Sequence, residues 1–145
     1  MERPHILVVE ARYYAHINEE LLKGALAALA EAGATHEHIV VPGAFEIPAA
    51  IRFAVATNTP FDGYVALGCV VKGDTDHYEY VCREAMAGIT QVVLQFGLCL
   101  GNGLLTVHTV QQALDRSTAD GHNKGAEAAA AALIQIRAAR WLGAV

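Results

Sequence analysis

Short apolar segments alternate four times with segments of helical periodicity, and this alternation limits the folds open to the chain. The first segment, residues 5–10, is apolar on both faces, which is typical of a parallel strand covered by helices on both sides. The sequence therefore predicts an α/β fold, a three-layer α/β/α sandwich with a four-stranded parallel sheet. The predicted strands are 5–10, 39–41, 63–69 and part of 98–107, and the predicted helices are 17–32, 44–57, 78–96, 110–116 and 123–142.

Length and composition narrow the class of protein. The 145 residues suit one domain that spans 1–145 and buries a substantial core. Hydrophobic residues make up 54% and charged residues 17%, a balance that favours a homo-oligomer whose subunits cover apolar surface against one another. The formal net charge of −5 argues against nucleic acid as the main partner.

The N-terminal residues, the length of the apolar runs and the cysteine content together predict a cytoplasmic protein. Residues 1–5 lead straight into the first strand, so we expect no secretory leader. Charged residues and histidines interrupt every apolar run before it reaches the length of a membrane span, so we expect no membrane partner. The three cysteines, Cys69, Cys82 and Cys99, are odd in number and lack a CxxC spacing. We therefore expect no zinc site and no disulfide framework.

A strand runs into a helix start at residues 67–81, and this stretch has the features of an anion site. Gly73 lets the backbone approach a ligand, and the N–H groups at a helix N-terminus attract phosphate. Lys72 and Thr75 add a charge and a hydroxyl, and His77 adds an imidazole, the side chain best suited to proton transfer under physiological conditions. The same stretch also fits a plain strand–helix joint, with Thr75 or Asp76 as N-cap and His77 on the surface.

Ligands of parallel sheets bind at the carboxyl ends of the strands. The segments that follow the four predicted strands are residues 12–14, 41–48, 72–77 and 104–108. They would bring an aromatic ring, a carboxylate, the anion site and a histidine to one crevice. This convergence favours a functional interpretation of each segment.

Four motifs resemble those of the 6,7-dimethyl-8-ribityllumazine synthase family. They are VPGAFEIP at 41–48, LGCVVKGDTDHY at 67–78, QALDR at 112–116 and NKG at 123–125. Their order and spacing also match, over nearly the whole chain. The resemblance implies the penultimate step of riboflavin biosynthesis, in which 5-amino-6-(D-ribitylamino)uracil condenses with 3,4-dihydroxy-2-butanone 4-phosphate and releases phosphate and water. It also implies a flavodoxin-like fold, no cofactor, no metal, and a site between neighbouring subunits.

The resemblance assigns roles to individual residues. His77 would transfer protons, and Arg116 would neutralise the leaving phosphate. The substrate-binding residues would be Tyr13, Ala44, Phe45, Glu46, Cys69, Val70, Val71 and Asn102, and the phosphate-binding residues would be Gly73, Asp74, Thr75 and Arg116. By this pattern one subunit supplies Tyr13, Glu46, His77 and the phosphate site with Arg116, while its neighbour supplies the region of Asn102. Lys124 lies in the NKG motif beside the site.

The sequence departs from the usual family pattern at several positions, and two further features bear on assembly. Tyr13 stands in place of Phe or Trp, Lys72 in place of Arg, and Asn102 in place of an aromatic residue. Only four residues precede the first strand, and residues 117–122 lack a tight glycine-rich turn. We therefore expect a free homopentamer, with a 60-subunit capsid as the alternative.

Two other functions are also compatible with the sequence. A flavodoxin-like module could hold a flavin or lumazine without turnover, although the loop at 10–14 lacks the glycine and hydroxyl pair of a flavin phosphate site. A mainly structural cage subunit is the other alternative, which a pentamer in solution would exclude.

Overall fold

Four parallel strands form the centre of the structure, a computed structural model that describes residues 2–57 and 60–145. The sheet has the order β2-β1-β3-β4, and all its neighbours pair in parallel. The prediction of a four-stranded parallel sheet is confirmed. The strands are β1 (His5–Ala11), β2 (Thr35–Val41), β3 (Gly63–Val71) and β4 (Leu100–Val107).

Helices cover both faces of this sheet. They are α1 (Ala15–Glu31), α2 (Ile47–Val55), α3 (His77–Phe96), α4 (Val110–Asp115) and α5 (Lys124–Leu142), with a 3-10 turn at Ala44–Glu46 before α2. Alternate residues of β1 face opposite layers, because side chains along a strand point to opposite faces. Ile6 and Val8 pack in a cluster with α1 and α5, and Leu7 and Val9 pack in a cluster with α2 and α3. The predicted three-layer α/β/α sandwich is therefore confirmed.

The second strand begins at Thr35, four residues before the predicted start at residue 39. β2 lies at the edge of the sheet and is exposed along nearly all its length, so burial does not require apolar residues there. His36, Glu37 and His38 pair with β1 through the backbone, which hydrophobic periodicity does not reveal. The predicted helix at 44–57 begins as the 3-10 turn and becomes α-helical at Ile47.

The start of α5 is fixed against α1 by the residues of the NKG motif. Asn123 Oδ1 accepts the backbone N–H of Ala126 at 3.0 Å, and Asn123 Nδ2 donates to the carbonyl of Glu20 at 3.0 Å. A Cβ at Gly125 would overlap the backbone carbonyl of Leu21. Asn123 therefore caps the helix, and Gly125 lets the two helices approach closely.

We predict that Gly125→Ala destabilises the protein by about 1–3 kcal/mol, the usual cost of overpacking. At an open helical position the same change would stabilise the protein by up to about 1 kcal/mol. The sign of the change in unfolding free energy therefore distinguishes a close helix contact from an open position. Denaturant unfolding at a fixed protein concentration measures the effect. Gly73→Ala is the control, because a Cβ there meets nothing within 4 Å. Equal stability of the Gly125 variant and the wild type would show that the helices do not depend on this contact.

Candidate active site

A groove of about 710 Å³ lies at the carboxyl ends of β1, β2 and β3. The loop after β1 forms one wall, the turn before α2 a second, the end of β3 the floor, and the first turns of α3 the far wall. The lining residues are Tyr13, Tyr14, Pro42, Gly43, Ala44, Phe45, Glu46, Cys69, Val70, Val71, His77, Tyr80, Val81 and Glu84. The structure thus brings together all the predicted substrate-binding residues except Asn102, together with His77.

Three exposed aromatic rings line the groove. Tyr13 is 74% exposed, Phe45 is 60% exposed and Tyr80 is 61% exposed. Tyr13 also contacts Tyr14 edge to face, with ring centroids 5.1 Å apart. Because burial of an aromatic ring is strongly favourable, rings left open in a groove suit the faces of a flat ligand or the contact with another subunit.

Small and neutral groups form the floor of the groove. Ala44 and Cys69 are buried, and Val70 and Val71 are half-buried at the end of β3. Burial raises the pKa of the Cys69 thiol to about 11, so the thiol stays protonated at neutral pH. Cys69 therefore contributes shape and not a thiolate nucleophile.

The predicted phosphate-binding turn, residues 73–75, lies in the chain between Val71 and His77, which both line the groove. All three of its residues are exposed. Gly73 has neither a left-handed φ nor any close neighbour that a Cβ would meet, so neither backbone conformation nor packing requires glycine here. Thr75 Oγ1 accepts the backbone N–H of His77 at 3.3 Å, at the first residue of α3. The turn therefore presents backbone to solvent at a helix N-terminus, the geometry of an anion site.

His77 is exposed at the start of the α3 wall. Across residues 2–57 and 60–145, no side chain hydrogen-bonds to its imidazole. The ring is therefore free to exchange protons with a ligand or with water.

Asn102 lies outside the groove. Its Nδ2 contacts the sulfur of Met86 on α3 at 3.1 Å, and its Oδ1 accepts the backbone N–H of Leu104 at 3.0 Å. Both ends of the amide are thus engaged within the chain.

Arg116 also lies outside the groove. It follows α4 and donates from Nη1 to the carbonyl of Gln112 at 2.9 Å, and its own carbonyl accepts the N–H of Lys124. Ala113 of α4 packs in the cluster that contains α1 and α5, whereas the helical wall of the groove is α3, on the other face of the sheet. In the described part of the chain, no hydrogen bond or ion pair joins Arg116 to the turn at 73–75.

Several residues that line the groove were not predicted from the sequence. Tyr80 and Glu84 follow His77 by three and seven positions, a spacing that places them on the same helix face. Helical periodicity counted from His77 could have found them. Tyr14, Pro42 and Gly43 belong to segments that the strand-end argument had already placed at the crevice.

Within residues 2–57 and 60–145, no group of three or more His, Cys, Asp or Glu side chains is arranged to hold a metal ion. None of the helices in that part of the chain combines the length and hydropathy needed to cross a bilayer.

The sequence matches one protein family over nearly its whole length. The model of the 6,7-dimethyl-8-ribityllumazine synthase family matches residues 3–140. A 6,7-dimethyl-8-ribityllumazine synthase of Bartonella tribocorum (strain CIP 105476 / IBS 506) is 46% identical over 142 residues, which cover 98% of this chain and 94% of that protein. The protein of the same name from Sphingopyxis alaskensis is 49% identical over 132 residues, covering 91% and 92%. The resemblance seen in the four sequence motifs is thus confirmed, and the chain belongs to the 6,7-dimethyl-8-ribityllumazine synthase family, enzymes of riboflavin biosynthesis.

Proposed function

We propose that the groove condenses 5-amino-6-(D-ribitylamino)uracil with 3,4-dihydroxy-2-butanone 4-phosphate and releases 6,7-dimethyl-8-ribityllumazine, phosphate and water. The observation that carries this proposal is the convergence on one groove of exposed aromatic rings, carboxylates, strand-end backbone and His77. These groups match the needs of a flat polar ring and of a reaction that moves protons near neutral pH.

The pyrimidine binds between the aromatic wall and the end of β3. Tyr13 offers a ring face for stacking, and the backbone at Val70 and Val71 offers hydrogen bonds to the ring edge. Phe45 and Glu46 lie on the same turn before α2, where Glu46 can accept a hydrogen bond from a ribityl hydroxyl group. Ala44 and Cys69 leave room for the ring between these walls.

The butanone phosphate binds with its phosphate group at the turn formed by Gly73, Asp74 and Thr75. The exposed backbone of this turn, at the N-terminus of α3, and the Thr75 hydroxyl then face the anion. His77, two residues after Thr75, moves protons during imine formation and phosphate elimination. Substrate and proton carrier are thus held by the same helix start.

A second copy of the chain completes this site. Arg116 and the α3 wall of the groove belong to opposite faces of one subunit, so we propose that a neighbour supplies Arg116 to the phosphate site, in place of the same-subunit arrangement expected from the family pattern. A ring of five subunits repeats such a heterologous contact and closes it. We therefore propose a cytoplasmic homopentamer, with a 60-subunit capsid as the alternative.

We predict that the purified protein forms the lumazine without added metal, nucleotide or other cofactor. Lumazine absorbance and released phosphate are followed together in the presence of both substrates. Both signals should rise in proportion to enzyme concentration and remain unchanged after treatment with a chelator. Release that stays at the uncatalysed rate would contradict the proposed reaction.

We predict that His77→Ala lowers kcat by about 100-fold or less, the lower end of the contribution of a general acid–base group, because the condensation also proceeds without enzyme. The KM for the ribitylaminouracil should change little. His36→Ala is the matched control, since His36 is exposed on β2 and lies outside the groove lining. An unchanged kcat together with a raised KM would count against proton transfer by His77.

We predict that Arg116→Ala raises the KM for the butanone phosphate far more than the KM for the pyrimidine. Inorganic phosphate should raise the Tm of the wild type by mass action, but not that of the variant. Arg137→Ala serves as the control, because Arg137 is an exposed arginine on α5 outside the groove. Equal effects on the two substrates would argue against a phosphate contact.

Sedimentation tests the assembly directly. We expect one species near five times 15.4 kDa. A single species near a megadalton would support the capsid and contradict the free pentamer.

A further inference from the structure

A fully buried carboxylate lies immediately behind the loop that carries Tyr13. Glu10 is 0% exposed, on β1. By the alternation of side chains along the strand, it faces the same layer as Ile6 and Val8. A carboxylate in such a place is strongly destabilising unless charged or polar partners satisfy it.

Two cationic or polar side chains occupy both oxygens of Glu10. Arg12 donates from Nε to Oε1 at 2.7 Å and from Nη2 to Oε2 at 3.1 Å. The ring nitrogen Nε2 of His38, on the edge strand β2, lies 2.6 Å from Oε2. Hydrogen bonding to Glu10 raises the pKa of Arg12 above its usual value. The Arg12 side chain is therefore held in one orientation by two parallel hydrogen bonds.

The backbone on either side of Arg12 is held separately. The carbonyl of Ala11 accepts both the N–H of Tyr13 at 3.1 Å and the side-chain amide of Asn18 at 2.7 Å. Asn18 is itself fully buried, and its backbone N–H donates to the carbonyl of Tyr14 at 2.9 Å. The main chain of the loop is thus fixed by α1, while the side chain of Arg12 is fixed by β1 and β2.

This arrangement is poorly explained as a device for stability. Replacing a buried ion pair with apolar groups is often neutral or stabilising. A bidentate pair does, however, specify geometry, and the residue next to Arg12 is the 74% exposed Tyr13 in the groove wall. Tyr13 has little packing of its own to set its direction, so the groups that fix its neighbour have a large influence on it.

We propose that Glu10 is a positioning residue, which orients Tyr13 for the pyrimidine ring by clamping Arg12. The inference rests on the proposed function, in which Tyr13 stacks on that ring. His38 steadies the second oxygen of Glu10 and so connects the edge strand to the groove. Glu10 itself, being fully buried, does not touch the substrate.

Glu10→Gln tests the clamp, since the amide keeps the shape of the side chain but cannot accept both hydrogen bonds from Arg12. The KM for the ribitylaminouracil should rise about two- to tenfold, which is the range set by the contribution of one aromatic contact. The kcat and the KM for the butanone phosphate should change less than twofold, because the phosphate site is on another loop. Arg12→Lys should act in the same way, since lysine keeps the charge but lacks the planar fork.

Glu37→Gln is the matched control. Glu37 pairs with His5 across the same two strands, with Oε2 2.8 Å from Nε2, at the far end from the groove. Its loss should leave both KM values unchanged. If Glu10→Gln fails to fold, Arg12→Lys tests the clamp in its place. The Arg12 side chain is one-third exposed, so we expect this variant to fold.

The decisive comparison repeats both substitutions in a Tyr13→Ala background. If Glu10 acts through Tyr13, its effect on the KM for the pyrimidine should disappear there. An equal rise in KM with and without Tyr13→Ala would overturn the inference, as would an equal rise in the KM values for both substrates. The Glu10–Arg12 pair would then have a structural role only. A raised KM in Tyr13→Ala with unchanged values in Glu10→Gln and Arg12→Lys would overturn this inference alone. An unchanged KM in Tyr13→Ala would overturn both the proposed stacking and the role of Glu10.

Discussion

The parallel pairing of β1 with β3 is the contact on which the rest of the structure depends. Ala11 pairs with Gly68 in this register, so the loop after β1 and the end of β3 lie side by side. In the order β2-β1-β3-β4, the chain leaves β1 in one direction to reach β2 and later crosses to the other side of β1. Loops at such a switch point diverge and leave a crevice between them. The groove lies there, with Tyr13 on one side and Cys69 below it.

The core explains why this pairing is firm. β1 and β3 are buried almost throughout, and each of their faces contributes to one of the two apolar clusters. A rigid floor then carries loops that present exposed groups, among them Phe45 and His77. Stability and function are thus divided between the strands and the segments that follow them.

Apolar periodicity predicted the elements that are buried and missed what is exposed. It found β1, β3 and the long helices because burial requires their apolar residues. It shortened β2, whose first residues are polar and pair with β1 through the backbone and through polar side chains. The strand-end argument and the family motifs identified most of the groove, since local sequence decides which residues follow a strand. They assigned Arg116 to the phosphate site of its own chain, but α4 packs on the face of the sheet opposite α3, and local sequence does not show which face an element covers. They also missed Glu10, because one acidic residue at the end of an apolar strand does not reveal the arginine and histidine that satisfy it.

The proposed site combines residues of two neighbouring subunits, and complementation tests that proposal most directly. One chain carries Tyr13→Ala and His77→Ala, and the other carries Arg116→Ala. Activity is measured at butanone phosphate concentrations below the KM, where each variant alone should be weakly active. When the two are co-expressed in equal amounts and mix at random around a closed ring, about a quarter of the contacts combine an intact groove with an intact Arg116. We predict recovery of about a quarter of wild-type activity, because activity should follow the fraction of contacts that are complete. Activity no higher than the sum of the two parent variants would show that groove and arginine act within one chain, and would contradict it.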